Sequence, residues 1–214
     1  MKLEFYHYVH CPYCIRVRLA LGLLGLAWTS VVIPYDDEVT PVKLCGKKML
    51  PILVVDGRPM NESLDIIRFL DREDRLKTSQ LPLGIDFEAM VQKFAENVHN
   101  LAMPWWVWTP EFDERARAYF TAKKEAKRGP FSALVRRRGE FEAPLLTDLA
   151  VLTPRLRPFW DSDVPTIHDI VLTAQLWGLF HVPEFRFPAE WHDYLMRMKD
   201  ACRFVPHQDH WGKA

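Results

Sequence analysis

The chain has 214 residues, a length that allows one or two domains with buried cores. Its 28 Lys and Arg residues balance 28 Asp and Glu residues, so no overall charge favours nucleic acid or an anionic membrane. Hydrophobic residues make up 49% of the chain, but no apolar run reaches the roughly 18 residues that a membrane span needs. We expect no membrane partner. The opening Met1-Lys2 and mixed strand lack the pattern of a secretory signal, and we expect a cytosolic protein.

The N-terminal part of the chain begins with a pattern typical of an α/β domain. Residues 3–8 alternate well enough for a strand, and a helix is predicted from Pro12 to about residue 24, ending near Gly25. The β-branched and aromatic run at 28–33 predicts a second strand. Strand, helix and strand in this order begin an α/β fold.

A second group of elements completes this domain. We expect a short helix at 41–45 and strands at 50–55 and 58–60, because Asp56-Gly57 between two such runs favours a hairpin. From Glu62 the apolar residues repeat with a helical period. The order βαβ and then ββα predicts a domain at residues 1–72 with a four-stranded mixed sheet.

The rest of the chain predicts helices. Residues 73–85 lack periodicity and contain Ser, Thr, Pro and Gly, which indicates a linker. Apolar residues then follow a helical repeat from Phe87 to Leu101, which predicts a long helix that Pro104 interrupts or kinks. Further helical stripes lie at 112–120 and 191–198. We expect residues 86–214 to form an all-helical domain.

One of these helices has a distinct start. Thr166-Ile167-His168-Asp169 follows Pro165 and has the spacing of a capping box, with Asp in place of the usual Glu or Gln. Loss of the Thr166 cap should cost about 1 kcal/mol of stability.

The sequence Cys11-Pro12-Tyr13-Cys14 lies where the first strand meets the first helix, which favours a redox dithiol. The thiolate is the species that attacks a disulfide, and an ordinary cysteine with a pKa of about 8.5 supplies little of it at neutral pH. A helix beginning at Pro12 directs unpaired N–H groups and the positive end of its dipole at Cys11. We therefore predict Cys11 as the nucleophile and the more buried Cys14 as the resolving thiol.

A zinc site that includes His7 or His10 is the alternative interpretation of this pair. Structural zinc takes four ligands, usually with a second Cys or His pair at matched spacing. The other two cysteines, Cys45 and Cys202, stand alone and are expected to be buried or incidental thiols. We predict no metal.

The motif and its setting resemble the glutaredoxin 2 family. Cys-Pro-Tyr-Cys is similar to the glutaredoxin form of the motif, and Leu50-Pro51 and Glu62-Ser63 recur at the expected positions in thioredoxin-fold proteins that bind glutathione, including glutathione transferases. The resemblance is strong at 1–72 and near 115–135. It implies a thioredoxin-like N-terminal domain and a C-terminal helical bundle arranged as in glutathione transferases.

The resemblance also implies roles for single residues. Pro51 would be a cis-proline facing the cysteine pair, leaving the Leu50 backbone to pair with the cysteinyl group of glutathione. Glu62 and Ser63 would hold the γ-glutamyl end, with first-turn amides receiving its carboxylate. Tyr13 would line the groove. The plainer interpretations are an ordinary helix start at 62–63 and a partly exposed aromatic at Tyr13.

The implied activity is a glutathione-dependent thiol-disulfide oxidoreductase that reduces protein disulfides and glutathione mixed disulfides. Glutathione is then the co-substrate, no cofactor is permanently bound, and a monomer is expected. A cysteine-type glutathione transferase and a non-enzymatic interaction protein on the same fold are the alternatives. Retention of Cys14 favours the oxidoreductase.

Two groups of residues, one basic and one rich in tryptophan, have no role in the implied glutathione site. Residues 115–138 contain nine basic side chains and one acidic side chain, Glu125. We interpret them as a solvated helix face and do not expect a nucleic-acid partner. Trp105, Trp106 and Trp108 are expected in the interdomain or bundle core.

Overall fold

A computed structural model describes residues 1–211 of the chain. The N-terminal domain holds one four-stranded mixed sheet with the order β2-β1-β3-β4, in which β1 and β2 are parallel and the other pairs are antiparallel. Its strands are β1 (Leu3–His7), β2 (Thr29–Val32), β3 (Ile52–Val55) and β4 (Arg58–Asn61). Its helices are α1 (Pro12–Leu24), α2 (Val39–Cys45) and α3 (Ser63–Leu70). The predicted fold class is confirmed.

Local signals in the sequence set the ends of these elements. Cys11 is extended, with φ −72° and ψ 123°, and Pro12 occupies the first turn of α1, where its missing N–H costs no helical hydrogen bond. Gly25 ends α1 in the left-handed conformation, with φ 67°. Asp56 and Gly57 both have positive φ, as the tight turn between β3 and β4 requires.

The described residues of the C-terminal part form helices joined by loops. After a 3₁₀ turn at Thr78–Gln80 come α4 (Ile85–Trp106), α5 (Glu114–Arg128), α6 (Phe131–Arg136), α7 (Arg138–Leu152), α8 (Ile167–Leu176), α9 (Ala189–Ala201) and α10 (Gln208–Trp211). Helices α6 and α7 have no counterpart among the predicted elements. Pro104 does not end α4, which continues to Trp106. Pro104 lacks the N–H that would bond the Asn100 carbonyl, so α4 gives up one backbone hydrogen bond two residues before its end.

The capping box at the start of α8 is confirmed. The Thr166 side chain accepts from the N–H of His168 at 3.3 Å, and the Asp169 carboxylate accepts from the Thr166 N–H at 2.8 Å. Asp169 is fully buried and also accepts from the Trp160 N–H and the Tyr194 hydroxyl. It therefore connects the cap to two neighbouring segments.

The two domains share one continuous hydrophobic core. Helix α1 packs against α3 and against α8 of the helical domain, and α4 packs against α6, α7 and α8. Buried Arg18 of α1 donates to the carbonyls of Val205 and Pro206 at 2.6 and 2.8 Å, which ties the C-terminal segment to α1. The helical domain is thus packed directly against α1.

Candidate active site

The cysteine pair lies at the N-terminus of α1. Cys11 is partly buried at the cap position, and Cys14, one turn into the helix, has no exposed surface. The backbone N–H of Tyr8 points at the Cys14 sulfur at 3.4 Å. Both thiols are free.

The surroundings of the pair separate the two pKa values. A hydrogen bond from the Cys14 side chain lowers the pKa of Cys11 most, and the charge of His10 and the N–H groups of Cys14 and Tyr13 lower it further, together outweighing the opposing effect of burial. Burial, and then its bond to Cys11, raise the pKa of Cys14. Cys11 is therefore the thiolate of the pair at neutral pH, and Cys14 the protonated donor.

Glu111, from the loop before α5, crosses to the segment that precedes Cys11. Its carboxylate accepts from the N–H groups of Val9 and His10, both at 2.8 Å, and lies 3.0 Å from His10 Nδ1. Its side chain is 3% exposed. Burial raises the pKa of Glu111, but the charge of His10 and these N–H donors outweigh burial and lower it overall. The helical domain thus holds the loop beside Cys11.

The residues that the resemblance assigned to glutathione lie together. The Leu50-Pro51 peptide bond is cis, as expected. A groove of about 370 Å³ runs between the tip of α1, the start of β3 and the start of α3. It is lined by Tyr13, Met49, Leu50, Pro51, Glu62 and Ser63. We call it the outer groove.

The two residues at the start of α3 differ in accessibility. Ser63 is 5% exposed, and within residues 1–211 its hydroxyl has no hydrogen-bond partner. Glu62 is exposed and has φ 69° and ψ 109°, on the side of the backbone map that favours glycine. Such backbone strain is typical of ligand-binding positions.

A second cavity, of about 200 Å³, opens beside Cys11 between the two domains. We call it the inner cavity. The N-terminal domain contributes Tyr8, His10, Cys11, Pro12, Tyr13, Tyr35 and Leu50 to its lining, and the helical domain contributes His99, Met103, Trp106, Phe120 and Lys124. Burial lowers the pKa of Lys124, and the charge of Cys11 opposes that effect.

Sequence reasoning missed four of the charged and aromatic groups around Cys11, namely His10 as a charge partner, Glu111, Tyr35 and Lys124. His10 directly precedes the motif, and its adjacency was an available signal. Glu111 and Lys124 lie about a hundred residues away along the chain, and no local pattern marks them.

The basic stretch is mostly engaged within the protein. Arg115 pairs with Asp36 at 3.0 Å, Arg128 donates to Asn100, and Arg138 pairs with Glu142. The tryptophan prediction is wrong for Trp108, which is 68% exposed with the Arg117 guanidinium 4.4 Å from its ring centre. A turn follows α4 at this point and directs Trp108 outward.

Residues 1–211 contain neither a cluster of metal ligands nor a helix that could cross a membrane. They contain no group of three or more His, Cys, Asp or Glu side chains that could hold a metal ion. Over the same range, every helix is too short or too polar to cross a bilayer.

Together, the sheet, the helical bundle and the dithiol at the N-terminus of α1 define a two-domain thiol oxidoreductase with glutathione-transferase architecture. Residues 5–78 match the family described as glutathione S-transferase, N-terminal domain, and residues 86–205 match glutaredoxin 2, C terminal domain. Glutaredoxin 2 of Escherichia coli (strain K12) is 30% identical over 202 residues, which cover 92% of this chain and 94% of that protein. The chain belongs to the glutaredoxin 2 family.

Solved structures agree with this assignment. The structure of glutaredoxin 2 from Salmonella typhimurium in complex with glutathione is similar, with a TM-score of 0.85, 29% identity and coverage of 97% of both chains. Glutathione transferase GSTFuA3 from Phanerochaete chrysosporium shares the fold, with a TM-score of 0.70 at 16% identity, covering 96% of this chain and 98% of that one.

Proposed function

We propose that the chain is a glutathione-dependent thiol-disulfide oxidoreductase in which Cys11 is the nucleophile and Cys14 the resolving thiol. The observation that carries this assignment is a thiolate-forming Cys11, hydrogen-bonded by a buried Cys14, in the inner cavity, which shares Tyr13 and Leu50 with the outer groove. The related Salmonella protein was crystallised with glutathione, which supports glutathione as the occupant of that groove. No permanently bound cofactor is needed for this chemistry.

The groove offers matching groups for glutathione. The Leu50 backbone, next to cis-Pro51, can pair with the cysteinyl residue in a strand-like manner, and Tyr13 forms one wall. The free Ser63 hydroxyl and the unpaired N–H groups of the first turn of α3 suit the γ-glutamyl carboxylate. Exposed Glu62 is available for the γ-glutamyl ammonium group.

The reaction with a glutathione mixed disulfide proceeds by thiol-disulfide exchange. The Cys11 thiolate attacks the glutathione sulfur, a Cys11–glutathione disulfide forms, and the other thiol leaves as a thiolate that takes up a proton from solvent. A second glutathione, as thiolate, then attacks that disulfide, giving oxidised glutathione and the Cys11 thiolate. With a protein disulfide, Cys14 instead resolves the mixed disulfide, and two glutathiones reduce the resulting Cys11–Cys14 bond.

The test is turnover of a glutathione mixed disulfide in the presence of glutathione and glutathione reductase. We expect Cys11→Ser to abolish turnover and Cys14→Ser to keep measurable monothiol activity, with Cys202→Ser as the control for loss of a thiol outside the site. Full activity in Cys11→Ser would refute the proposal. Conjugation of an electrophile such as chlorodinitrobenzene, at a rate exceeding disulfide reduction, would favour the cysteine-type transferase instead.

We also propose that disulfide-containing proteins are substrates and that the protein is a cytosolic monomer. We further propose domain limits at residues 1–72 and 86–214, with a linker at residues 73–85. The absence of net charge, and the pairing within the basic stretch, argue against nucleic acid as a partner. Light scattering on the purified chain tests the monomer, since a mass near twice 25.1 kDa would contradict it.

A further inference from the structure

Arg16, on α1, is a buried cation that the protein itself does not neutralise. It is 8% exposed, and its Nε is fully buried without an acceptor. Within residues 1–211, its one recorded contact is with Tyr13, whose ring centre lies 4.7 Å from the guanidinium carbon. Stacking covers one face of the guanidinium, but among residues 1–211 the buried Nε–H finds no acceptor. The other buried arginine of α1, Arg18, donates to two carbonyl oxygens.

This arrangement is costly in the unliganded protein. A guanidinium stays charged at physiological pH, and a buried charge without hydrogen-bond acceptors is strongly unfavourable. Burial accordingly lowers the pKa of Arg16, whereas the charges of Tyr13 and Cys11 oppose that effect. An anion bound next to Arg16 would remove the penalty.

Arg16 borders a cavity of about 280 Å³ between α1, α3, α4 and α8, which we call the Arg16 pocket. Its walls are largely apolar and include Leu64, Phe87, Val91 and Val171. The one carboxylate in the lining is that of exposed Glu88, which accepts from the Leu83 N–H at 3.2 Å and forms no ion pair with Arg16.

The Arg16 pocket is next to the active site. Tyr13 lines this pocket, the outer groove and the inner cavity, and Leu64 directly follows Ser63 of the outer groove. The charge of Cys11 influences the pKa of Arg16, so the two groups are within electrostatic reach. A substrate joined to glutathione through a disulfide can therefore extend past Tyr13 into the pocket.

We propose that the Arg16 pocket is a carboxylate subsite for the disulfide substrate, filled by an acidic side chain near the cysteine of a glutathionylated protein. A guanidinium binds a carboxylate through two parallel hydrogen bonds, and apolar walls strengthen that pairing by excluding water. The inference rests on the proposed function, because the substrate reaches the pocket only while its disulfide lies at Cys11.

The test compares two glutathionylated peptides that differ in one residue beside the cysteine, Glu or Gln. We expect the wild-type protein to have a kcat/KM several-fold higher for the Glu peptide, on the order of tenfold for one well-formed charged pair. Arg16→Gln should abolish this preference, and Arg16→Lys should keep part of it because the charge remains. Arg157→Gln, which changes an exposed arginine outside the lining of the Arg16 pocket, is the matched control and should behave as wild type.

The outcomes separate the possible sources of the carboxylate. Equal kcat/KM for the two peptides in the wild-type protein overturns the proposal without requiring any variant to fold. If Arg16→Gln instead raises the KM for glutathione equally with both peptides, the carboxylate belongs to glutathione, and the assignment to the protein substrate is wrong. Reduction of the mixed disulfide of glutathione and 2-hydroxyethanethiol by the wild-type protein tests the proposed function separately, since the 2-hydroxyethanethiol half is uncharged and the substrate has no carboxylate outside its glutathione half.

Discussion

At the scale of single residues, the chemistry depends on the pKa of Cys11, which three neighbouring groups affect. Cys14 donates to Cys11, the charge of His10 lowers the pKa of Cys11, and Glu111 holds His10 from the other domain. The helix N-terminus alone would act on any cysteine at that position. The Glu111–His10 pair adds a contribution that exists only when the domains are packed together.

The effect of Glu111 can be measured through the nucleophile. In the wild-type protein the pKa of Cys11 is lowered to about 6, so its alkylation by iodoacetamide should reach half its maximal rate near that pH. Glu111→Gln keeps the shape but removes the carboxylate that pairs with His10, whose charge lowers the pKa of Cys11. We expect the midpoint to move upward and the alkylation rate at pH 6 to fall on the order of fivefold.

The control for this measurement is Glu96→Gln, an exposed glutamate on α4, which should leave the midpoint unchanged. An unchanged midpoint in Glu111→Gln would show that Glu111 has only a structural role. Thermal unfolding of both variants separates that case from a general loss of stability.

At the scale of elements, the start of α8 tests whether a local signal contributes to the stability of the whole chain. Thr166→Ala removes the acceptor for the first-turn N–H and the Thr166 hydroxyl that donates to Asp169. We expect a loss of about 1 kcal/mol in the free energy of unfolding and a Tm lower by about 2–4 °C. Disulfide reductase activity should not change.

Thr147→Ala provides the comparison for the cap. Thr147 is exposed in the middle of α7, and its hydroxyl bonds only to the Ala143 carbonyl one turn earlier. We expect that substitution to be neutral or slightly stabilising. Equal Tm values for Thr166→Ala and wild type would contradict the role of the cap.

A second element-scale prediction concerns the close approach of α1 to the end of α9. A Cβ at Gly22 would lie 1.8 Å from the Cys202 carbonyl oxygen, which is backbone and cannot rotate away. Gly22→Ala should therefore force the helices apart and cost about 3 kcal/mol or more. Urea unfolding measures that loss.

Gly139, in α7, is the matched glycine. A Cβ there meets nothing within 4 Å, and its backbone is helical. Gly139→Ala should stabilise the chain by about 0.5–1 kcal/mol, because alanine loses less backbone entropy in a helix. A destabilised Gly139→Ala, or an unaffected Gly22→Ala, would show that the packing around α1 differs from the one described.

At the scale of the whole molecule, buried histidines make stability depend on pH. Burial is the largest cause that lowers the pKa of His7 to about 4, of His99 to about 3 and of His207 to about 4. In the unfolded chain these groups bind protons near pH 6.5, whereas in the folded chain they stay neutral. The stability they contribute is therefore present above about pH 6.5 and is lost as the pH falls below it.

We expect the free energy of unfolding to fall between pH 7 and pH 5 by on the order of 1–2 kcal/mol per buried histidine. The raised pKa of Asp169 acts in the opposite direction. Urea unfolding at the two pH values measures the loss. His7→Asn should make the loss of unfolding free energy between the two pH values smaller by the contribution of one histidine. The same change at exposed His192 should leave that loss unaltered. Equal losses in the two variants would contradict the burial argument.

Local sequence was sufficient for several features of the fold and the site. Pro12 after an extended Cys11, the Asp56-Gly57 turn and the Thr166 box each act within a few residues, so their structural outcome could be predicted from the sequence. Helices α6 and α7 escaped prediction because short or weakly amphipathic segments give no clear periodic signal. Pro104 does not interrupt α4, which continues for two residues to the buried Trp106.

The sequence by itself determined the order of strands and helices in the N-terminal domain and the position of the dithiol, because backbone preferences and the helix N-terminus act locally. Tertiary structure alone decided which distant side chains surround the dithiol. Glu111 pairs with His10 although about a hundred residues separate them along the chain. Arg16 is buried, with no acceptor for its Nε among residues 1–211, at a pocket that residues of α4 and α8 help to line. Burial and charge pairing depend on distances in space, and a local sequence pattern does not specify the distance between residues far apart in the chain. The roles of these groups can therefore be recognised only in the folded protein.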